Sequence, residues 1–365
     1  MIRRLLLRVV AHLDGPLMAM LALLLLVSVA TVFSASGENV GRVIDHLVNM
    51  SVALTAMLLI SHVPPQRLMQ FAPPAYVLGL LLLLAVALFG IVVNGSRRWL
   101  DLGITRIQPS ELMRLAVPMM LAWYLQCKQE ILNWRHFAVA FALLAAPLAF
   151  IAEQPDLGTT LLIGASGFYV LFLGGLSWKV IGGFAVAAGA ALPLAWNTLL
   201  HDYQRQRVLT LIDPASDPLG AGYHIIQSTI AVGSGGVVGK GWMAGTQTHL
   251  DFLPERTTDF IFAVFSEEFG LIGNLFLLLL YAVIIWRGLW LAASAPSLFG
   301  RLLSGAIMFT FFTYAFVNMG MVSGILPVVG VPLPLVSYGG TSMLTVLLGF
   351  GIVMSAAKHK KLVKT

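Results

Sequence analysis

The side chains that could do chemistry concentrate in the stretch from Gly245 to Gly270. Only 10% of the residues in the whole chain are charged, yet this stretch carries Asp251, Glu255, Arg256, Asp259, Glu267 and Glu268, with Lys240 just before it. An ionisable group beside an apolar helix is unfavourable and therefore indicates function. Carboxylates can serve as general bases and arginines can hold anions, so the stretch is a candidate wall of a reaction site.

The elements that carry these residues are predicted to be membrane helices. The chain has 365 residues, of which 58% are hydrophobic, and its mean hydropathy is +0.89. This composition is too apolar for a water-soluble domain, and apolar runs of helix-spanning length recur from end to end. The basic residues are scattered between these runs, which favours a role in membrane orientation over nucleic-acid binding. The sequence thus predicts an all-α polytopic membrane protein with one domain over residues 1–365.

The hydropathy pattern predicts about ten transmembrane helices. Their approximate bounds are 16–35, 46–63, 75–94, 109–126, 136–152, 157–175, 178–199, 259–286, 301–325 and 340–357. Lysine and arginine concentrate in the loops on the side of the N-terminus, which predicts that both termini are cytoplasmic. The connection 200–258, between the seventh and eighth helices, is then a large outer loop. Its amphipathic segment at Tyr223–Gln227 and its glycine turns predict that it folds over the outer face.

A glycine-rich run at 233–241 superficially resembles a phosphate-binding loop. That pattern requires glycine where this chain has Ser234, and it requires serine or threonine where this chain has Gly241, after Lys240. We therefore interpret the run as tight turns.

Four polar motifs fall at the outer starts of even-numbered predicted helices. They are QPSE at 108–111, QPDLGT at 154–159, TTDF at 257–260 and SYGGT at 337–341. A helix N-terminus offers free N–H groups and the positive end of the helix dipole, which suit an anionic ligand such as a phosphate. Ordinary capping is the alternative for each motif alone, but four on one face favour an anion site.

Arg114 lies one helical turn after Glu111, so the two side chains can form an ion pair. A buried guanidinium also needs a second carboxylate or a bound anion, and Asp156 and Asp259 are candidates at the same depth. A purely structural ion pair is the alternative.

Arg97, Arg98 and Trp99 lie together in the second outer loop. They could be anchors at the membrane interface, where tryptophan and arginine are frequent. Their concentration on the side that is poor in positive charge favours substrate binding instead. The residues alone therefore predict an outer-facing cavity that suits a phosphorylated, lipid-linked substrate.

Long motifs follow one another through the chain. They are RRWLDLG at 97–103, QPSE at 108–111, QPDLGT at 154–159, HDYQRQR at 201–207, GAGYHIIQS at 220–228, FLPERTTDFIF at 252–262 and GILPVVGVPLPLVSYGG at 324–340. In this order they resemble the SEDS family (shape, elongation, division and sporulation), and HDYQRQR and FLPERTTDFIF favour its cell-elongation branch over its division branch.

The resemblance implies a ten-helix peptidoglycan glycosyltransferase of the bacterial inner membrane. Such an enzyme polymerises lipid II at the periplasmic face during cell elongation and rod-shape maintenance. Its implied partners are a class B penicillin-binding protein, which is the transpeptidase, and other proteins of the elongation complex.

The resemblance also implies roles for particular residues. Asp259 matches the family's essential aspartate, and Trp99 and Arg106 match the tryptophan and arginine of the second outer loop, with Gln108 and Glu111 beside them. Relatives often carry lysine where this chain has Arg114. That substitution keeps the charge but changes the hydrogen-bonding geometry.

Chain growth requires the 4-hydroxyl of an acceptor sugar to displace a lipid pyrophosphate from the anomeric carbon of the donor. We expect Asp259 to act as the general base or as a ligand of Mg²⁺ or Mn²⁺. Arg114, Arg106 and either Arg97 or Arg98 are expected to hold the pyrophosphate, with Asp156 positioning Arg114. An α-linked donor and a β-linked product imply inversion in a single displacement.

Two other functions compete with a polymerase. A lipid II flippase should line a path across the whole membrane with polar groups, whereas here the inner halves of most predicted helices are apolar. A scaffold without chemistry would leave Asp259 and Arg114 unexplained. Asp251, Glu255 and Arg256 are expected at the rim of the cleft, and the roles of Glu267 and Glu268 stay open.

Overall fold

Helices make up nearly all of the architecture. The computed structural model describes residues 13–93, 96–101, 103, 106–128, 133–154, 156–198, 202–217, 220–249, 253 and 255–358. The helices are α1 Gly15–Ala35, α2 Val40–Ser61, α3 Pro65–Phe89, α4 Pro109–Cys127, α5 Trp134–Ala152, α6 Leu157–Leu173, α7 Trp178–Thr198, α8 Asp202–Ile212, α9 Ala221–Ser234, α10 Thr246–His249, α11 Ile261–Ser294, α12 Leu298–Val322 and α13 Gly340–Lys358.

Seven of the described helices are long and apolar enough to cross a membrane, namely α1, α2, α3, α5, α11, α12 and α13. Shorter apolar stretches occur at Leu157–Leu173 in α6 and Trp178–Ala191 in α7. Large apolar side chains such as Leu81 and Leu88 of α3 face outward. These features define a multi-pass membrane protein. Each predicted span overlaps one of α1–α7 or α11–α13, while the number of crossings and the side of the termini stay predictions.

Helix α12 lies at the centre of the bundle, where it packs against α4, α6, α11 and α13. Helix α2 packs along α13, and a Cβ atom at Gly351 would lie 2.6 Å from the backbone oxygen of Met57. Small residues allow such close approach between membrane helices. Helix α1 is tied to α11 at both ends, because Asp14 pairs with Arg287 at 2.8 Å and Ser34 donates to the Glu268 carboxylate.

A small antiparallel sheet corrects the prediction of a purely helical chain. It consists of β1 Ile91–Val93, β2 Ser96–Asp101 and β3 Arg106–Ile107 in the second outer loop. Arg97 pairs with Val92, and Leu100 pairs with Ile107. Successive side chains of a strand point to opposite faces, so neighbouring residues of β2 are separated.

The helix that the sequence predicts as the eighth span is broken at Gly270. Gly270 has φ 62° and ψ −160°, a conformation that side-chain-bearing residues strongly disfavour. The glycine-rich run enters the break, where Lys240 N donates to Glu267 O at 3.0 Å and Leu271 N donates to Gly236 O at 2.9 Å. The run therefore does make tight turns, and these turns satisfy backbone groups that the break releases.

Glu267 and Glu268 of α11, whose roles the sequence left open, both form contacts with distant parts of the chain. Glu267 is fully buried, and its Oε1 accepts from Lys240 Nζ at 2.7 Å and from Gln247 N at 3.0 Å. Glu268 is the partner of Ser34. Lys240 and Glu267 thus fasten the glycine-rich turns to α11.

The described part of the segment 200–258 contains α8, α9, α10 and a 3₁₀ turn at Pro214–Ser216. Helix α9 packs against α11, and Ser228 Oγ donates to Val322 O at 3.0 Å, which joins α9 to the end of α12. Its position on the periplasmic side stays a prediction.

Candidate functional site

The four polar motifs coincide with helix starts, as predicted. Helices α4, α6, α11 and α13 begin at Pro109, Leu157, Ile261 and Gly340. Pro109 stands in the first turn, where its missing N–H is not needed, and Gln108 is the capping residue before it. Asp156 caps α6 by accepting from Thr159 N at 3.1 Å, whereas Pro155 lies outside the described residues.

Three contacts bring these helix starts together. Ser337 Oγ donates to Thr258 O at 2.5 Å and Tyr338 N donates to Thr257 O at 2.9 Å, which joins the starts of α11 and α13. Thr345 Oγ1 donates to Glu111 Oε2 at 3.3 Å, which joins α13 to α4. The motifs at the starts of α4, α11 and α13 therefore meet at one end of the helix bundle.

Arg114 and Glu111 form the predicted ion pair, with Nη1 and Oε2 2.8 Å apart. Their side chains are only 12% and 15% exposed, so the pair lies inside the protein. The guanidinium carbon of Arg114 lies 5.3 Å from the centre of the Tyr314 ring, which is cation–π distance. Beside Arg114 is a largely apolar cavity lined by Leu115, Ile307, Phe311, Thr345 and Phe350.

Asp156 has a different partner from the one we expected. It forms an ion pair with Arg98 of β2 at 3.2 Å and not with Arg114. One carboxylate oxygen caps α6 and the other faces β2, so neither is directed at α4. Asp156 therefore acts on Arg114 through its charge without an ion pair between them, and the expectation that it positions Arg114 stays a prediction.

The two arginines of β2 are separated by the strand's alternation. Arg98 reaches Asp156, whereas the exposed Arg97 donates to Ala87 O at the end of α3 at 3.3 Å. Trp99 is partly buried in the sheet, opposite Ile91. The backbone of Arg106 pairs with Asp101, and its side chain lies outside what the structure describes, as does Asp251.

Asp259 lies in the turn that precedes α11. Its backbone oxygen accepts from Asn318 Nδ2 at 2.8 Å, and Gly330 is so close that a Cβ there would lie 3.4 Å from Asp259 Oδ2. Burial, with a smaller contribution from the charge of Glu255, raises the pKa of Asp259 to about 6. The effect of burial therefore outweighs any lowering by arginines. The carboxylate is a stronger base than an ordinary aspartate and is still ionised at neutral pH.

A polar cavity of about 420 Å³ lies beside the turn of Asp259. It is lined by Arg42, Leu253, Glu255, Arg256, Thr257, Thr258 and Tyr338. The guanidinium of Arg42 lies 5.9 Å from the centre of the Tyr338 ring. Glu255 and Arg256 thus border the site, as predicted for its rim.

Sequence reasoning missed three residues of this arrangement, namely Arg42, Tyr314 and Asn318. Arg42 carries a positive charge in a loop region predicted to lie outside, where such charges are rare, and that signal could have identified it. Tyr314 and Asn318 sit in an apolar helix without any local sign of a role.

The residues around Asp259 can be compared with the needs of a divalent cation. Among the described residues, no group of three or more His, Cys, Asp or Glu side chains could hold a metal. Glu255 is the acid whose charge acts on Asp259. Mg²⁺ commonly binds through one or two carboxylates together with substrate phosphates. The site therefore fits a cation shared with a phosphorylated substrate, and not a cation held by protein alone.

Fold and site together define a multi-pass membrane protein with a partly buried aspartate, Asp259, and several arginines at one end of its helix bundle. The chain belongs to the FtsW, RodA and SpoVE family of cell cycle proteins, whose model matches residues 5–362. This match confirms the SEDS resemblance.

Individual relatives agree with the family. The chain is 51% identical to the peptidoglycan glycosyltransferase MrdB of Escherichia coli K12 over 351 residues, which are 96% of this chain and 95% of MrdB. It is 36% identical to the stage V sporulation protein E of Bacillus subtilis over 77% of each chain.

Solved structures resemble the fold closely. One chain, from a study of how a peptidoglycan synthase complex coordinates polymerization and crosslinking, has a TM-score of 0.83 and 34% identity, covering 96% of this chain and 98% of its own. The rod shape determining protein RodA of Thermus thermophilus has a TM-score of 0.70 and 28% identity, covering 94% and 95%.

Proposed function

We propose that this chain is a peptidoglycan glycosyltransferase that polymerises lipid II at the periplasmic face of the inner membrane during cell elongation. The observation that carries the proposal is Asp259, a partly buried carboxylate whose pKa is raised to about 6 and which directly follows Thr257 and Thr258 in the lining of a polar cavity that also contains Arg42 and Arg256. The names of the relatives, above all MrdB, support the reaction and its role in cell shape.

In the proposed reaction, Asp259 accepts the proton of the acceptor sugar's 4-hydroxyl. The hydroxyl oxygen forms a bond to the anomeric carbon of the donor, and the bond from that carbon to the lipid pyrophosphate breaks. The electron pair leaves with the pyrophosphate, which is already a good leaving group, so no acid is needed. Attack from the opposite side inverts the anomeric centre.

In this proposal two separate groups of cationic residues stabilise the phosphates. Arg114, with Glu111 and Thr345 around it, lies beside a small apolar cavity of about 40 Å³. Arg42 and Arg256 line the polar cavity at the turn of Asp259. Each reaction cycle brings together two lipid-linked substrates, so two separate groups of cationic residues match their two pyrophosphates. Arg106, Gln108 and Trp99 are expected to contribute from the second outer loop, and Arg98 holds Asp156.

A divalent cation, Mg²⁺ or Mn²⁺, would neutralise charge on the leaving pyrophosphate. Asp259, with Glu255 nearby, would hold such a cation as the alternative to acting as the free general base.

The membrane arrangement is part of the proposal. Ten helices cross the membrane, both termini are cytoplasmic, and the segment 200–258 lies in the periplasm. A class B penicillin-binding protein crosslinks the product strands. The likeness to a chain studied in a peptidoglycan synthase complex supports this partner.

One assay tests the function. Purified protein and its transpeptidase partner are given labelled lipid II and a divalent cation, and glycan polymer is measured. We expect polymer from wild type and none from Asp259→Asn. Asp202→Asn is the matched control, because Asp202 is a fully exposed aspartate on α8, and it should behave as wild type.

Two outcomes would contradict the proposal. Equal polymer from wild type and Asp259→Asn would exclude Asp259 as the base. Movement of lipid II across the bilayer without any polymer would identify a flippase instead.

A further inference from the structure

A buried histidine on α2 has no part in the mechanism described so far. His46 is fully buried on a helix whose other buried residues, Met50, Ala53, Met57 and Ser61, are apolar or small. A leucine would fill the same position without bringing a polar group into the membrane interior. The hydrogen bonds of His46 therefore need an explanation beyond packing.

His46 reaches the loop between α12 and α13 through Ser28 of α1. His46 Nε2 lies 2.8 Å from Ser28 Oγ, and Ser28 Oγ donates to Val336 O at 2.9 Å. Because the single hydroxyl proton of Ser28 is used on Val336, the Ser28 oxygen accepts from His46, which assigns the proton to Nε2. His46 thus donates to Ser28 and Ser28 donates to Val336, so the N–H of His46 and the O–H of Ser28 each have an acceptor.

The same loop is what holds the turn of Asp259. Next to Val336, Ser337 Oγ donates to Thr258 O and Tyr338 N donates to Thr257 O. The Tyr338 ring also packs against the His46 ring, with centroids 5.8 Å apart. A short path of contacts thus leads from α2 and α1 through the loop to the residues just before Asp259.

We propose that His46 and Ser28 are positioning residues. They hold the loop 333–338 in the position from which it hydrogen-bonds to the turn of Asp259. The inference rests on the proposed glycosyltransferase function. Neither residue touches substrate. Their effect is on the placement of the Asp259 carboxylate, and small misplacements of a reacting group can reduce a rate by about 100-fold.

The test compares kcat and KM for lipid II polymerisation in matched pairs of variants. Ser28→Ala and His46→Leu should lower kcat by about 10-fold or more and leave KM within about twofold, because only the reacting group moves. Ser28→Thr keeps the hydroxyl, and His46→Gln keeps an N–H donor, so both should recover most of the rate. The double variant Ser28→Ala/His46→Leu should be no slower than Ser28→Ala, since the two residues act as one unit.

Thr31→Val is the control for the loss of a buried hydroxyl group on α1. Thr31 lies one turn from Ser28 on α1, is fully buried, and uses its hydroxyl only on Val27 O of its own helix, at 2.8 Å. It should retain the wild-type kcat, with all variants checked for folding by thermal unfolding.

Several results would overturn the inference while leaving the function intact. Wild-type polymerisation with an unchanged kcat in Ser28→Ala and His46→Leu would do so, as would an equal loss in Thr31→Val. If Ser28→Ala does not fold, the comparison of His46→Leu with His46→Gln decides, and equal rates in that pair refute positioning. Absence of polymer from wild type would refute the proposed function itself.

Discussion

Tyr314 and Asn318 lie one helical turn apart on the same side of α12, and together they join the two halves of the candidate site. The Tyr314 ring lies against the guanidinium of Arg114. Asn318 Nδ2 donates to Asp259 O at 2.8 Å and to Val331 O at 2.6 Å. Residues four apart on a helix share a face. Helix α12 therefore sets the spacing between Arg114 and the turn of Asp259.

Asn318 gives the first prediction. Asn318→Leu removes both donated hydrogen bonds and leaves two carbonyl oxygens unpaired in the interior, which should lower stability by about 1–3 kcal/mol. Because one of those bonds holds the turn of Asp259, kcat should fall as well. Thermal unfolding and a polymerisation assay measure the two effects.

Gln126 supplies the control for this experiment. Its side chain accepts from Phe299 N at 2.9 Å, a side-chain-to-backbone contact at the other end of α4. Gln126→Leu should lose stability without a specific loss of kcat. A normal kcat in Asn318→Leu would show that α12 does not place the base.

The second prediction concerns how Arg114 recognises phosphate. Arg114→Met removes a charge-assisted hydrogen-bond donor and leaves Glu111 without its cation, so KM for lipid II should rise by about 10- to 100-fold. Arg114→Lys keeps the charge and should fall between wild type and Arg114→Met. Initial rates over a range of lipid II concentrations give both constants.

Arg97 is the matched arginine. The sequence made Arg97 or Arg98 a candidate for holding pyrophosphate, and in the structure Arg97 is the exposed one of the two and donates to Ala87 O. Because its guanidinium is directed to the end of α3, we expect Arg97→Met to leave KM within about twofold. A KM effect as large as that of Arg114→Met would contradict the placement of Arg97.

The third prediction is the pH dependence of the reaction. A general base works in its ionised form, so kcat/KM should fall as the pH drops through about 6, the raised pKa of Asp259. Glu255→Gln removes the negative charge that contributes to this rise, so the acid limb should move to lower pH. Burial, the larger cause, remains, so the limb should stay above the range of an ordinary aspartate.

Asp202→Asn again serves as the control in the pH experiment, since Asp202 is exposed on α8. Its profile should match that of wild type. An acid limb that does not move in Glu255→Gln, or that lies near pH 4 in wild type, would mean that Asp259 is not the titrating base.

The fourth prediction tests the break in α11. A Cβ atom at Gly270 would lie 2.3 Å from Gly239 N and 2.8 Å from Val237 O, on a backbone with φ 62°. Gly270→Ala should therefore destabilise the protein by more than about 2 kcal/mol, through strain and collision together. Thermal unfolding in detergent or nanodiscs measures the change.

Gly233 provides the comparison for Gly270. It lies near the end of α9, and a Cβ there would meet nothing within 4 Å. Gly233→Ala should be neutral or slightly stabilising, because alanine favours a helix more than glycine does. Equal stability of the two variants would mean that the break tolerates a side chain.

Local signals in the sequence predicted some of the site well. The starts of α4 and α6 follow from a proline in the first turn and an aspartate cap, both of which act within a few residues. The Glu111–Arg114 pair follows from a spacing of three on a helix. The sheet in the second outer loop was missed, because its short strands lie inside a chain dominated by apolar helices.

Contacts between distant residues were beyond the reach of sequence reasoning. Asp156 and Arg98 are 58 positions apart, and the choice of Arg98 over Arg114 depends on which face of β2 meets the start of α6. The break at Gly270 depends on glycine-rich turns that pack against it from an earlier segment. Neither relationship has a periodicity that a sequence pattern could reveal.

The sequence by itself determined that this is a membrane protein of the SEDS family with Asp259 as its candidate base. Hydropathy, helix capping and motif order are properties of residues close together in the sequence. They can therefore be recognised without knowing the tertiary contacts. Only the tertiary structure decided which charges pair, how α12 spaces Arg114 from Asp259, and how far burial raises the pKa of that carboxylate. Those quantities depend on distance and on exclusion of water, and both are set by packing between segments far apart in the chain.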